Sequence, residues 1–288
     1  EVVILNKSRG LAGYHAATRT RAQRWPHNLL ATSTHDSKRA EDVRCRINVL
    51  SEIPSAWKLM LQRWSCLNRA KKRDIDGRPA PSANDEVLLY QTLLGSWPLE
   101  AAPDLEAYRA RIVAYMTKAA RESKEHSSWV NVNADYESAL ADFIGALLAP
   151  GDKNLFLTDF IPQARRLAHH GLLNSLSLTL LKLTAPGVPD IYQGCELWQF
   201  NLVDPDNRRP VDYAARRQLL DAVAGLGAAA VPALGDDLHD GRLKLCLIQR
   251  ALALRARWPD VFREGDYLPL AVRGERATHV CAFARRLG

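Results

Sequence analysis

No apolar run in the sequence approaches 18 residues, so no membrane-spanning segment is expected. No charged leader followed by an apolar stretch stands at the start, so no signal peptide is expected. Cysteine is scarce and unpatterned. Cys45, Cys66, Cys195, Cys246 and Cys281 form an odd set of five with no C-x-x-C spacing. That excludes a disulfide framework and fits free thiols in a reducing cytoplasm. No metal-ligand spacing is visible: His169 and His170 are neighbours on a predicted helix and point to different sides of it. Neither a metal nor a cofactor is expected.

A decisive excess of one charge is also missing. Lys and Arg number 39 against 32 Asp and Glu, a formal net charge of +7. The two signs are interleaved along predicted helices, the usual pattern of solvated faces. The basic run Arg69-Ala70-Lys71-Lys72-Arg73 reads as an exposed helix end. A basic, helical nucleic-acid-binding protein is the alternative of another class, with salt-sensitive retention on DNA as its discriminator. The interleaved acids argue against it, and neither nucleic acid nor membrane is expected as a partner.

What is present is a chain of 288 residues, 47% hydrophobic and 25% charged. That is the composition of a folded, soluble protein of one large or two ordinary domains. Its chemistry is concentrated in Thr32-Ser33-Thr34-His35-Asp36-Ser37-Lys38-Arg39. The stretch follows the apolar step Leu29-Leu30-Ala31 and precedes the charged helical run from Glu41. It therefore sits where a strand ends and a helix begins, with Ser37 as the expected cap and Glu41 and Asp42 as first-turn charges. A His-Asp pair at a strand end can hold a carboxylate beside a developing cation. A plain helix N-cap is the other reading of a lone pair.

Elsewhere the pattern is helical. Residues 38–73 read as helix broken at Pro54, and 74–84 as a loop rich in Pro, Gly and Asp. Helices are expected over 85–94, 107–124, 135–148, 156–169 and 172–183, and no strand is expected between 37 and 170. A short strand is expected over Pro189–Tyr192. Asp212 is expected to cap a helix over 213–226, followed by a loose linker and a helix over 241–258. Phe262, Tyr267–Leu268 and 279–284 read as strands. Trp57, Trp64 and Trp258 are assigned to the core.

Several segments together carry a resemblance. They are Thr34-His35-Asp36 followed by Lys38-Arg39, Ala185-Pro186-Gly187-Val188-Pro189-Asp190-Ile191-Tyr192-Gln193-Gly194, and Asp204 to Asp212. This set resembles the α-amylase superfamily of (β/α)8 glycoside enzymes. Residues 84–95, Lys124-Glu125-His126-Ser127-Ser128-Trp129 and 173–184 narrow it to the maltooligosyltrehalose synthase family. The resemblance implies a mainly α fold: a helical insertion domain flanked by the last strands and helices of a (β/α)8 barrel, plus the start of a C-terminal β domain. The implied divisions are a barrel segment over 1–36 ending strand seven, the insertion over 37–170, strand eight and its helix over 171–230, and a linker helix with the β-domain start over 231–288. Because the chain opens Glu1-Val2-Val3 and stops at Gly288, a fragment of a longer enzyme is expected.

The implied chemistry is conversion of the reducing-end α-1,4 linkage of a maltooligosaccharide to α,α-1,1, in the cytoplasm, without net hydrolysis. Asp36 matches the superfamily's third catalytic carboxylate, and His35 the histidine that bonds the same sugar. The nucleophile and the acid/base would come from strands outside this chain, so the fragment alone is expected to be inactive. Lys38 and Arg39 are read either as sugar-hydroxyl donors or as helix-surface cations. His126 and Trp129 either cover the cleft or pack between helices. Tyr192 either floors a subsite or packs, and Asp206 and Arg209 either border the cleft or form a loop-holding pair. Expected partners are the sugar, the missing N-terminal part of the enzyme and, through an exposed barrel edge, a second copy. Another α-amylase-type hydrolase or glucosyltransferase is the nearer alternative, and the Lys124–Trp129 segment argues against it.

Overall fold

The computed structural model describes residues 10–151 and 153–288. The opening nine residues of the expected 1–36 barrel segment lie outside them. From Gly10 the order is α1 (Gly10–Arg24), β1 (Leu29–Leu30), α2 (Glu41–Asn48), α3 (Pro54–Asn68), β2 (Arg73–Ile75), β3 (Arg78–Ala80), α4 (Ala83–Ser96), α5 (Leu105–Ser123) and α6 (Ala134–Leu147). Then come α7 (Leu155–Thr184), β4 (Val188–Pro189), α8 (Tyr213–Ala224), α9 (Arg242–Arg257), α10 (Pro259–Glu264), β5 (Asp266–Pro269) and β6 (Phe283–Arg286). The described residues are thus mostly helical. No single helix among them is long and apolar enough to cross a membrane.

Short polar side chains start most of these helices. Ser82 accepts from the Asp85 N–H, Asp104 from Glu106 and Ala107, Asn133 from Tyr136, Asn154 from Leu157 and Asp212 from Ala215. Each satisfies first-turn donors that have no partner within the helix. α5 ends on Lys124 in the left-handed region, φ 59°. Pro54 does not merely break a helix; it occupies the first position of α3, where its missing N–H costs nothing.

The core lies among α3 to α7 and is aromatic at its centre. Trp64 is fully buried, with ring centroids of Tyr90 and Phe160 at 5.4 Å and Phe156 at 5.7 Å. Its indole N–H donates to Asp159 Oδ2 at 2.8 Å, so its polar edge is satisfied. Trp57 packs against it at 6.0 Å. Trp258 departs from its core assignment: it is half exposed, with the Arg257 guanidinium 5.6 Å from its ring.

Two parallel strands carry the proposed barrel remnant. Leu29 pairs with Val188 and Leu30 with Pro189. β1 stops at Leu30, not at His35-Asp36, and β4 stops at Pro189, short of Tyr192. Among the described residues no further strand pairs with either, and Leu29 and Val188 are exposed. The expected loop over 74–84 contains a hairpin, with Arg73 opposite Ala80 and Ile75 opposite Arg78. Its turn is Asp76-Gly77, both at positive φ, which matches the twist a two-residue hairpin needs. Phe262 lies on α10, not on a strand, and residues 277–279 form a 3-10 turn before β6. β5 and β6 form an antiparallel pair.

α7 replaces two expected helices with one of 30 residues, and it passes through position 170 without a break. Gly171, in the gap left between the two expected helices, is a point of close approach. A Cβ there would lie 2.7 Å from the Arg46 Cα and 2.4 Å from its Cγ. The α2 backbone therefore rests directly on α7. Gly171→Ala should force the two helices apart and lower stability by about 1–3 kcal/mol, with helix propensity returning less than that. Urea unfolding checks this, and an unchanged midpoint would contradict the packing.

Candidate functional site

Five residues after β1 the chain makes a tight turn. The Thr34 N–H donates to Ser37 Oγ at 2.9 Å and the Ser37 N–H to Thr34 O at 3.1 Å. Ser37 therefore closes this turn and does not cap α2. Ala40 holds the cap position without a side-chain bond, and the Ser33 hydroxyl accepts the Glu41 N–H at 2.9 Å. His35 and Asp36 occupy the tip. His35 Nε2 is 3.3 Å from Asp36 Oδ2, and their side chains are 62% and 82% exposed. Asp36 is therefore an accessible carboxylate, not a helix cap.

The neighbouring wall is the loop Asp204–Arg209. Asn207 Nδ2 donates to the His35 carbonyl at 2.6 Å, tying loop to turn. Asp206 receives Arg111 through Nε at 2.8 Å and Nη2 at 3.0 Å, and the Leu202 N–H at 2.8 Å. Arg209 Nε lies 3.2 Å from Asp206 Oδ1, and its Nη2 bonds Asn201. Asp206 and Arg209 thus hold the loop together, while Arg209 remains half exposed. Lys118 donates to both the carboxylate and the carbonyl of Asp204 at 2.8 Å. That hydrogen bond holds the Asp204 carboxyl below the usual carboxylate range. Arg111 and Lys118 come from the polar face of α5, where nothing in the sequence distinguished them from other surface cations.

The remaining predicted residues are placed differently. Lys38 Nζ contacts Glu122 at 2.6 Å, and Arg39 Nη2 donates to Thr92 Oγ1 at 3.0 Å. Both therefore reach toward the helical layer. Tyr192 is half-buried beyond β4, and its carbonyl accepts the Cys195 N–H. His126 and Trp129 lie in the α5–α6 loop. The His126 ring stacks on Tyr136 at 4.5 Å, and Trp129 is exposed beneath the Arg121 guanidinium at 5.0 Å. Among the described residues, the structure joins His35, Asp36, Asp206 and Arg209 through the Asn207 contact. No hydrogen bond brings Tyr192, His126 or Trp129 into that group.

Segments that lead into the turn and the loop, at Thr32 and Gln199, bond a buried cluster of four charges. Glu41 and Asp42 open α2 as expected, but neither is solvated. Lys244 of α9 donates to Glu41 Oε1 at 2.9 Å and to Asp42 Oδ2 at 3.0 Å. Lys182 of α7 donates to Glu41 Oε2 at 3.2 Å and to Thr32 Oγ1 at 2.7 Å. Asp42 also accepts the Gln199 N–H at 2.6 Å and bonds Ser175. Every charged side chain here is 2% exposed or less. Burial opposes ionisation of Glu41, yet Lys244 and Lys182 overcome it and hold the carboxyl at about 2. Burial likewise opposes the Lys244 charge, and Asp42 and Glu41 still raise its pKa. Burial, reinforced by these carboxylates, pushes the Cys45 and Cys195 thiols up to about 12, so neither is a reactive thiolate. A lone lysine in the apolar run Leu180-Leu181-Lys182-Leu183 was the available sign of Lys182.

Among the described residues no group of His, Cys, Asp or Glu is arranged to hold a metal ion. The arrangement is an exposed carboxylate–imidazole pair on a rigid turn, beside a loop fixed by arginine and lysine. It can accept hydrogen bonds from hydroxyls and stabilise positive charge.

No protein-family model matches the chain. A Mycobacterium tuberculosis protein provisionally named maltooligosyl trehalose synthase is 38% identical over 276 residues, 96% of this chain and 32% of that protein. A crystal structure of maltooligosyl trehalose synthase superposes with a TM-score of 0.81 at 32% identity, covering 96% of this chain and 35% of that one. The synthase from Arthrobacter ramosus gives 0.79 at 36% identity, covering 96% and 32%. Fold and sequence thus define a class, a mostly helical region found within these longer proteins. The chain spans about a third of the length of these relatives. Over that region it belongs with the maltooligosyl trehalose synthases, to which it is homologous along nearly its whole length.

The charge cluster fixes how stability depends on acid. The folded-state pKa of Glu41, about 2, lies below its ordinary 4.5. Its contribution is therefore complete above 4.5 and disappears as pH falls through 2. Its upper limit is about 3 kcal/mol at 1.36 kcal/mol per pKa unit. The fall in unfolding free energy from pH 6 to pH 2.5 should be visibly smaller in Glu41→Gln than in the parent chain. Equal falls would show that Glu41 is not held ionised.

Proposed function

We propose that this chain is the C-terminal part of a trehalose-forming enzyme of the α-amylase superfamily. The enzyme isomerises the reducing-end α-1,4 linkage of a maltooligosaccharide to α,α-1,1. The observation that carries the proposal is the homology together with Asp36, accessible at the tip of a turn that follows one of two adjacent parallel strands. β1 and β4 are taken as strands seven and eight of a (β/α)8 barrel, whose chemistry sits at the strands' C-terminal ends.

The reaction is a retaining transglycosylation within one bound molecule. A carboxylate nucleophile attacks the anomeric carbon of the penultimate glucosyl unit as a carboxylic acid protonates the departing O4. The released glucose stays, turns, and presents its anomeric hydroxyl to the covalent intermediate. The carboxylate that gave its proton takes one back from that hydroxyl, and the α,α-1,1 bond forms as the nucleophile leaves. Asp36 and His35 bond the hydroxyls of the sugar at the cleavage point, and Asp36 stabilises its oxocarbenium-like charge. Lys38, Arg39, Tyr192, Asp206 and Arg209 line or brace the surroundings. His126 and Trp129 belong to the insertion that keeps the free glucose from water.

The nucleophile and the acid/base are assigned to strands four and five, outside this chain. The open sides of β1 and β4 are where the preceding barrel pairs. In its absence a second copy is the available partner. The five cysteines are all free thiols, in keeping with a cytoplasmic setting.

The 288-residue chain incubated with maltopentaose is expected to yield no trehalosyl product, and appreciable product would overturn the fragment assignment. In the enzyme that contains it, Asp36→Asn is expected to lower kcat by about 10²-fold or more with the fold unchanged. Near-parental turnover would remove Asp36 from the chemistry.

A further inference from the structure

The turn that carries His35 and Asp36 closes on itself. The Thr34 N–H donates to Ser37 Oγ at 2.9 Å, the Ser37 N–H returns to Thr34 O at 3.1 Å, and the His35 and Asp36 side chains bond only each other. Just past the turn, the chain is fastened to the segment 201–203. The Ala40 N–H donates to Asn201 O at 2.9 Å, and the Val203 N–H donates to Lys38 O at 3.1 Å. From Val203 the Asp204–Arg209 loop folds back along the turn, and Asn207 Nδ2 donates to the His35 carbonyl at 2.6 Å. Among the described residues, this is the one hydrogen bond or ion pair that reaches residues 34–37 from outside them.

The Asn207 side chain does little for the loop that carries it. The residue is 7% exposed, its Nδ2 is spent on His35, and its buried Oδ1 has no hydrogen-bond partner among the described residues. A buried oxygen left unpaired lowers stability, and an apolar side chain of similar shape escapes that penalty. Turning the amide over would set Oδ1 against the His35 carbonyl oxygen, so the bond to His35 decides which end faces the turn. The loop is held by other groups. Asp206 accepts from Arg111 and the Leu202 N–H, Arg209 bonds Asn201, and Lys118 bonds Asp204. Asn207 therefore passes the rigidity of the braced loop to the turn through a single donor.

We infer that Asn207 is a positioning residue for Asp36, acting through the His35 carbonyl. The inference rests on the function proposed above, which puts the Asp36 carboxylate beside the reacting sugar. With 82% of its side chain exposed, Asp36 has no packing of its own to hold it in place. A misplacement of about 1 Å in a positioned group costs about 10²-fold in rate. Asp36 acts on charge that develops in the transition state, so its displacement lowers kcat and leaves KM nearly unchanged.

Asn207→Leu and Asn207→Ala test this, the smaller side chain guarding against a misfit of the larger. In the 288-residue chain, NMR order parameters of the His35 and Asp36 amides are expected to be about 0.85 in the parent and below about 0.6 in both variants. The urea midpoint of Asn207→Leu is expected to be no lower than the parent's, because the unpaired oxygen leaves with the donor. In the enzyme that contains the chain, both variants are expected to lower kcat about 10- to 100-fold with KM within about twofold. An ordered tip in both variants would overturn the inference. So would a lowered urea midpoint with the tip still ordered, which would make Asn207 a plain loop-stabilising residue. A mobile tip with parental kcat, in an enzyme that Asp36→Asn disables, would overturn the inference and leave the proposed function standing.

Discussion

Four charged side chains buried where α2, α7 and α9 meet are the constraint on which the rest of this structure depends. Two carboxylates and two ammonium groups leave water together, and each finds its counter-charges at hydrogen-bond distance. Isolated burial of any one would cost several kcal/mol, so the group persists only as a matched set. Glu41 and Asp42 begin α2, directly after the His35-Asp36 turn. Lys182 ends the long helix that feeds β4, and Lys244 begins α9. The cluster therefore fixes the separation of the two parallel strands from the helical layer. Its bonds to Thr32, Gln199 and the Leu197 carbonyl reach the segments that lead into the turn and into the loop beside it.

A second, more exposed chain of charges runs above the first. Lys38 meets Glu122, Lys118 meets Asp204, and Arg111 meets Asp206. Both bonds from Arg111 are aligned with the Asp206 carboxylate, the geometry that gives such pairs their directionality. Through them α5 of the helical layer braces the loop that touches His35. The helical layer is thus mechanically coupled to the candidate site: the buried cluster bonds Thr32 ahead of the turn that presents Asp36, and α5 braces the loop bonded to it. The two clusters differ in salt sensitivity. Screening weakens the partly exposed pairs far more than the buried ones.

Much of the helical layer was legible because its signals are local. Ser82, Asp104, Asn133, Asn154 and Asp212 each stand where a cap is chemically required, and the helices begin there. The Asp76-Gly77 turn was equally local and was passed over because its flanking residues, Arg73 to Ile75 and Arg78 to Ala80, carry no apolar alternation. The division of α7 at 170–171 arose differently: Gly171 is small because it contacts α2, a tertiary demand that local pattern does not express. The His35-Asp36 turn was found through motif resemblance, since a lone His-Asp pair equally describes a cap. Lys182 and Lys244 escaped as partners of Glu41 and Asp42 because only the folded chain brings α2, α7 and α9 together. Strand ends were overextended for the same reason. With two residues each, β1 and β4 are set by their pairing rather than by β propensity.

The central claim is that Glu41 and Lys244 act as one buried unit, and a double-mutant cycle tests it directly. Unfolding free energies would be measured for the parent chain, Glu41→Gln, Lys244→Met and the double variant at neutral pH. Each single change leaves the opposite side of the cluster undercompensated, so the double variant should cost less than the sum of the two by about 2 kcal/mol. Additivity within about 0.5 kcal/mol would mean that the two side chains do not sense each other, and the account of what positions the turn would fail.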